Sequence, residues 1–225
     1  MIELKNVTRR YLLGGEYIYA LREVSFKVQD GEFLAIMGPS GSGKTTFLNI
    51  IGGLDQGISG EVLIDNELVA KLKDNQLSKY RNQKIGFIFQ SFNLQPIYTA
   101  LENVMMPLYF AKVSDKEKNR RSAAALKLVG LGNRLKHKPN QLSAGQRQRV
   151  SIARALVNNP SVLLADEPTG NLDSKTGGEI MTFLKKLNKE KQVTIVMVTH
   201  DEEMARYADR ILKIHDGRIQ KTIKT

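Results

Sequence analysis

Apolar and polar residues alternate through the first thirty positions, as in Ile2-Glu3-Leu4-Lys5 and Val24-Ser25-Phe26-Lys27-Val28. This two-residue period belongs to strands with one buried face and predicts antiparallel sheet. Four later segments are short unbroken apolar runs: Phe33 to Met37 before Gly38, Ile85 to Phe89 before Gln90, Val162 to Ala165 before Asp166, and Thr194 to Val198 before Thr199-His200. Such runs suit strands buried on both faces of a parallel sheet. Between the last two, Thr176 to Glu190 carries Ile180, Phe183, Leu184 and Leu187 at helical spacing with lysines opposite, an amphipathic helix. A strand, a helix and a strand imply a parallel crossover. A parallel α/β sheet gathers its strand carboxyl ends on one edge, where ligands bind, so Gly38, Gln90, Asp166 and His200 are expected to converge there.

The strand pattern stops between Ser91 and Gln141, and Lys116 to Val129 reads as helix. A helical sub-domain over residues 91–141 is therefore expected as an insert in a single α/β domain, whose core and antiparallel β sub-domain occupy residues 1–90 and 142–225. The last dozen residues end in a basic tail with Lys221 and Lys224, expected to fray.

Composition narrows the classes without choosing one. A chain of 225 residues, 41% apolar and 25% charged, is that of an ordinary folded domain. The absence of cysteine removes disulfides, thiolate metal sites and cysteine nucleophiles. No apolar run approaches the roughly 20 residues that span a bilayer, and Met1 opens onto a charged alternating segment. Neither a transmembrane helix nor a signal peptide is expected. The net charge is +11, and its whole surplus lies in residues 71–84 and 112–138, which carry excesses of four and seven basic groups. A localised excess suits phosphates, an anionic membrane surface or an acidic partner, or simply keeps a face solvated.

Gly38-Pro39-Ser40-Gly41-Ser42-Gly43-Lys44-Thr45 fits G-x-x-x-x-G-K-[ST] between a predicted strand and an apolar helical stretch, the sequence and setting of a phosphate-binding P-loop. Glycines let the backbone wrap the phosphates, and N–H groups at the helix start supply donors and positive dipole. Lys44 is expected on the β- and γ-phosphates and Thr45 on Mg²⁺. Gly38, Ser40, Gly41, Ser42, Gly43 and Thr46 complete the expected ATP cradle. Asp166, ending an apolar strand, needs a compensating cation and is expected to hold Mg²⁺ through water. Glu167, the next residue, is the expected general base for the attacking water. Ser143 suits an N-cap, and Ala144 to Val157 reads as a helix stopped by Asn158, Asn159 and Pro160, a second anion-binding helix end.

With these motifs the chain resembles, over its whole length, the nucleotide-binding subunit of an ABC (ATP-binding cassette) transporter. Leu142-Ser143-Ala144-Gly145-Gln146 is similar to that family's Leu-Ser-Gly-Gly-Gln signature, with alanine for the first glycine. The resemblance implies that Ser143, Gly145 and Gln146 contact the ATP of a partner chain across a head-to-tail homodimer, with Asp173 of Asn171-Leu172-Asp173 touching across the same interface. It implies that Gln90 contacts Mg²⁺ and the attacking water, that His200 contacts the γ-phosphate, and that Tyr11 stacks on adenine, with Tyr17 and Tyr19 as alternative stackers. Asp166 to Asp173, together with Ala100-Leu101-Glu102-Asn103-Val104 and Pro107, is similar to the lipoprotein-release, macrolide-export and cell-division branch.

The implied function is an ATPase that energises a separate integral-membrane subunit by ATP-driven dimer closure and opening, placed on the cytoplasmic face of the membrane. The alternative is an ATP-gated regulatory module without transport. A nucleic-acid ATPase is not expected, since no aromatic-rich basic groove is legible. The basic surplus of the insert is instead expected to face the membrane or the membrane subunit.

Overall fold

The computed structural model describes residues 1–65 and 67–225. Along the chain run β1 (Ile2–Leu13), β2 (Glu16–Val28), β3 (Phe33–Met37), α1 (Lys44–Ile51), β4 (Ile58–Ile64), β5 (Glu67–Leu68), α2 (Asp74–Lys84) and β6 (Ile85–Phe89). There follow α3 (Ala100–Met105), α4 (Asp115–Leu128), α5 (Ala144–Leu156), β7 (Val162–Asp166), α6 (Ser174–Lys191), β8 (Thr194–Val198), α7 (Glu202–Ala205), β9 (Arg210–His215) and β10 (Arg218–Lys224). The strands form two sheets. One is antiparallel in the order β2-β1-β4-β5; the other has the order β10-β9-β3-β8-β7-β6, parallel except for β10 against β9.

Three of the four apolar runs, β3, β7 and β8, are interior strands of the parallel sheet and the fourth, β6, is its edge; side-chain alternation explains why the interior runs read as continuous apolar sequence. Leu34, Ile36, Leu164, Val196 and Val198 point to a core shared with α1 and the antiparallel sheet. Their neighbours Phe33, Ala35, Leu163, Ala165, Ile195 and Met197 point to a second core under the helices. Both faces of the interior strands are buried, so apolar residues fill them apart from Thr194, whose hydroxyl accepts from the Gly31 amide, and the terminal Asp166. The mixed architecture expected from the sequence, parallel core, antiparallel sheet and helical insert, is the architecture observed.

Register aligns the working edge. Ile36 pairs with Val198, Val198 with Asp166, and Asp166 with Phe89, so these four residues form one row across the sheet. Gln90, Glu167 and Thr199 each lie one residue beyond that row, and Gly38 lies two beyond.

The carboxyl terminus does not fray as the basic tail suggested. Residues 218–224 pair with β9 as an edge strand, and the Thr225 amide donates to the Asp209 carbonyl at 3.1 Å. Ladder hydrogen bonds hold it while the lysines face solvent.

Candidate functional site

The phosphate loop leaves β3 and enters α1 with no room for side chains at two glycines. A Cβ on Gly38 would lie 2.0 Å from the Ile214 carbonyl oxygen, and one on Gly43 would lie 2.0 Å from that of Ala20. Gly43 also has φ +100, a left-handed conformation open to glycine. Gly43 caps α1 without any side-chain acceptor, so the first N–H groups of the helix face a cavity with no partner of their own. That is the donor array and dipole end that an anion completes.

Lys44, nearly buried, donates from Nζ to the carbonyl oxygens of Gly38 at 2.9 Å and Pro39 at 2.8 Å. The cation is thus folded over its own loop. Ser40, Gly41, Thr45 and Thr46 join Gly38, Gly43 and Lys44 around a cavity of about 480 Å³, closed on its other sides by Ala20, Glu167, Val198 and His200. Ser42 points inward instead, its hydroxyl buried without a partner.

Opposite the loop stand the acids. Glu167 has φ +46, uncommon for a residue with a side chain, and its amide donates to the Val198 carbonyl at 2.9 Å. Its Oε1 lies 2.9 Å from Nδ1 of His200. Gln90 arrives from β6: a Cβ on Gly170 would stand 2.7 Å from Gln90 Nε2 and 3.3 Å from Glu167 Oε2. The bare Gly170 therefore lets the Gln90 amide and the Glu167 carboxylate approach over one Cα. Asn171 Nδ2 donates to the Gln90 carbonyl at 2.8 Å.

Asp166 is pushed above the ordinary carboxylate range by burial and by the neighbouring Glu167 charge, against the opposing pull of Lys44 and the Thr45 hydroxyl. A buried carboxylate of this kind is stabilised by a bound cation. Thr45, Asp166 and Gln90 offer hard oxygen donors, and one or two carboxylates completed by phosphate oxygens and water are the usual surroundings of Mg²⁺. The residues fit that ion. Among the described residues there is no cluster of three or more His, Cys, Asp or Glu side chains able to bind a metal unaided.

The signature segment lies elsewhere. Ser143 caps α5 by accepting from the Gln146 amide at 3.3 Å, and Gln146 Oε1 accepts from the Ser143 amide at 3.1 Å, a reciprocal capping box. Asp173 caps α6 through the Thr176 amide at 3.0 Å, and Gly145 packs against the Thr176 methyl. Ser143, Gly145, Gln146 and Asp173 thus form one cluster at two adjacent helix starts, and none of them lines the cavity. Tyr11 is also apart: its hydroxyl donates to Asp55 at 2.6 Å and its ring lies under Arg9, whereas Ala20 is the antiparallel-sheet residue at the cavity.

A larger groove of about 730 Å³ opens between α2, β6, α5 and the turn over residues 106–110, with Phe87, Phe89, Met106, Pro107 and Phe110 on its walls. Phe110 is 83% exposed there. The basic surplus of the insert is partly spent within α4, where Lys118 pairs with Asp115, and Arg120 and Arg121 both pair with Glu117. The two arginines hold the Glu117 carboxyl down to about 2.

Three residues of the site have only faint signals in the sequence. Gly170 is a glycine in a loop already rich in turn formers. Gln148 and Arg154 stand on α5, and Gln148 is a fully buried amide where Ile152 and Ala155 continue the same apolar stripe, a polar residue on a buried face.

The ABC transporter family profile matches residues 21–170. The uncharacterized ABC transporter ATP-binding protein MJ0796 of Methanocaldococcus jannaschii is 55% identical over 228 residues, covering 100% of this chain and 97% of that protein. The macrolide export ATP-binding/permease protein MacB of Syntrophobacter fumaroxidans is 51% identical over 98% of this chain, which spans only 31% of that longer protein. Among solved structures, the dimeric post-hydrolysis state of the MJ0796 cassette bound to ADP and Pi superposes with a TM-score of 0.92 at 54% identity, covering 100% of this chain and 98% of that one.

Proposed function

The chain belongs to the ABC transporter family, and from that premise we propose how its residues divide the work of an ATP-binding and hydrolysing subunit that drives a separate membrane protein. The observation that carries the proposal is the single cavity walled on one side by Lys44 and the uncapped start of α1, and on the other by Glu167 and His200.

ATP enters with its phosphates on the loop, and Lys44 exchanges its two carbonyl partners for β- and γ-phosphate oxygens. Mg²⁺, when bound, supplies the charge neutralisation between those phosphates, and Thr45, Asp166 and Gln90 are the residues that would hold it. Glu167 then takes a proton from a water in line with the γ-phosphorus as the oxygen attacks and ADP leaves. His200, at hydrogen-bond distance from Glu167, keeps that carboxylate oriented and faces the γ-phosphate. Glu167→Gln should leave ATP binding intact and lower kcat by about a thousandfold, the scale of a general base. Wild-type turnover in that variant refutes the assignment.

The separate signature cluster supports a head-to-tail dimer in which Ser143, Gly145 and Gln146 of each chain close over the partner's ATP, with Asp173 beside them. MJ0796 is dimeric in its ADP and Pi complex. Among the described residues no helix is long and apolar enough to cross a membrane, whereas MacB carries a permease in the same protein. The apolar groove with Phe110 is the surface we assign to the permease partner, and the cytoplasmic face of the membrane is the location we propose for the subunit. Export in the macrolide-export manner is the substrate-side reading that this relative supports.

A further inference from the structure

Three non-glycine residues with left-handed backbone lie on the loops that follow β6 and β7 at the site. Glu167 has φ +46, and Phe92 and Asn93, just after Gln90, have φ +59 and +49. Such conformations cost of order 1–3 kcal/mol each and persist where surrounding structure over-determines them. Here the fixing groups come from one helix.

Gln148 of α5, with no exposed surface, donates from Nε2 to the carbonyl of Pro168, the residue after Glu167, at 2.6 Å. Its Oε1 is buried and has no partner, so the amide is kept inside for a single directed bond and bears an unsatisfied atom in return. Two turns on, Arg154 donates from Nη2 to the Phe92 carbonyl at 2.8 Å and from Nη1 to the Asn93 carbonyl at 2.5 Å. Burial depresses this guanidinium with no opposing contribution from a carboxylate; the two carbonyls of the strained turn receive it instead. Arg147 adds its guanidinium 5.3 Å from the Phe92 ring.

We propose that Gln148 and Arg154 are positioning residues: from the body of the signature helix they hold the backbone that aims Glu167 and Gln90 at the reacting water. The inference rests on the ATPase reading above and deepens it. The start of α5 carries Ser143 toward a partner's nucleotide, while its middle and end fix the catalytic loops of its own site. One rigid helix thus ties engagement at one ATP to geometry at the other. A small shift of α5 is passed to both loops, because the bonds run to backbone carbonyls and not to flexible side-chain ends.

The test compares wild type, Glu167→Gln, Gln148→Met and Arg154→Lys in steady-state ATP hydrolysis, with thermal melting in parallel. Methionine keeps the volume and removes the donor; lysine keeps the charge and loses the fork across two carbonyls. The expected result is a fall in kcat of about tenfold or more for Gln148→Met and about threefold or more for Arg154→Lys, with KM for ATP within about twofold of wild type, the signature of a group that acts on the transition state. A merely structural role lowers the melting temperature and leaves kcat unchanged well below it. Folded variants with wild-type kcat overturn the proposal; if Gln148→Met does not fold, Arg154→Lys alone decides. A wild-type protein without ATPase activity, or one whose Glu167→Gln variant turns over normally, refutes the function reading instead, so the two failures are distinguishable.

Discussion

Two helix starts in this molecule are built for the same kind of ligand and finished in opposite ways. The start of α1 is capped by a left-handed glycine with no side-chain acceptor and faces an open-mouthed cavity. The start of α5 is capped reciprocally by Ser143 and Gln146, and Ser143 is exposed. The first leaves its donors unsatisfied and surrounds them with a lysine and two acids. The second satisfies itself and surrounds nothing. Under the proposed function, the first is the half of a site that captures nucleotide alone and the second is the half that acts only when a nucleotide-loaded partner is brought to it.

The sharpest way to break this contrast is to make the same substitution at both ends. Gly43→Ala would put a Cβ 2.0 Å from a backbone oxygen at φ +100, whereas Gly145→Ala meets only the Thr176 methyl, at 2.5 Å. The first should cost about 3 kcal/mol or more and abolish ATP binding. The second should cost less, because its obstacle is one side-chain methyl and not backbone, and yielding disturbs only the Thr176 hydroxyl bond to Asp173. Denaturant melts of the two variants check the ordering, and equal destabilisation would contradict it.

A smaller effect separates the ligand roles. Lys44→Ala removes a buried charge-assisted donor and should weaken ATP binding to the isolated chain by about ten- to a hundredfold. Ser143→Ala should leave that affinity unchanged, lower stability by about 1 kcal/mol through the lost cap, and abolish ATP-dependent dimerisation. Nucleotide titration and sedimentation read the two quantities independently.

The smallest effect concerns proton balance. The Asp166 pKa is raised in the folded chain, so its charge is a burden that is absent below the ordinary value of 3.8, grows as pH rises toward the folded pKa, and is complete above it. Asp173 is lowered by the Thr176 hydroxyl and amide; its stabilisation is present above the ordinary value and is lost as pH falls through the folded one. Asp166→Asn should therefore raise the melting temperature of the nucleotide-free protein at pH 7 while stopping hydrolysis. The gain should vanish on acidification below 3.8, whereas the stability lost by Asp173→Asn should be largest above that value and shrink as pH falls through the lowered folded pKa.

The sequence was most legible where burial leaves one choice. Phe33–Met37, Val162–Ala165 and Thr194–Val198 read as strands because both faces of each are buried, and the phosphate loop read clearly because its glycines are forced by backbone contacts. Helix α2 was not legible, since only Leu77 and Tyr80 on it are buried and two residues make no stripe. The terminal strand was masked by its lysines. Tyr11 shows the limit of a position argument: register shifts between Val7, Arg9 and Arg10 in β1 change which face each residue takes, and the ring ends under Arg9. Gln148 was hidden for another reason. A buried amide is meaningful only once the carbonyl it serves, 20 residues away in sequence, is seen beside it.

The central claim, that each ATP site joins the loop of one chain to the signature of another, is tested by mixing two inactive variants. Lys44→Ala chains keep the signature and Ser143→Glu chains keep the loop. Mixed one to one, they should regain ATPase activity that neither variant shows alone, since a mixed dimer joins the intact loop of one chain to the intact signature of the other. If the mixture stays as inactive as its components while wild type hydrolyses ATP, loop and signature do not meet across a dimer and the account fails.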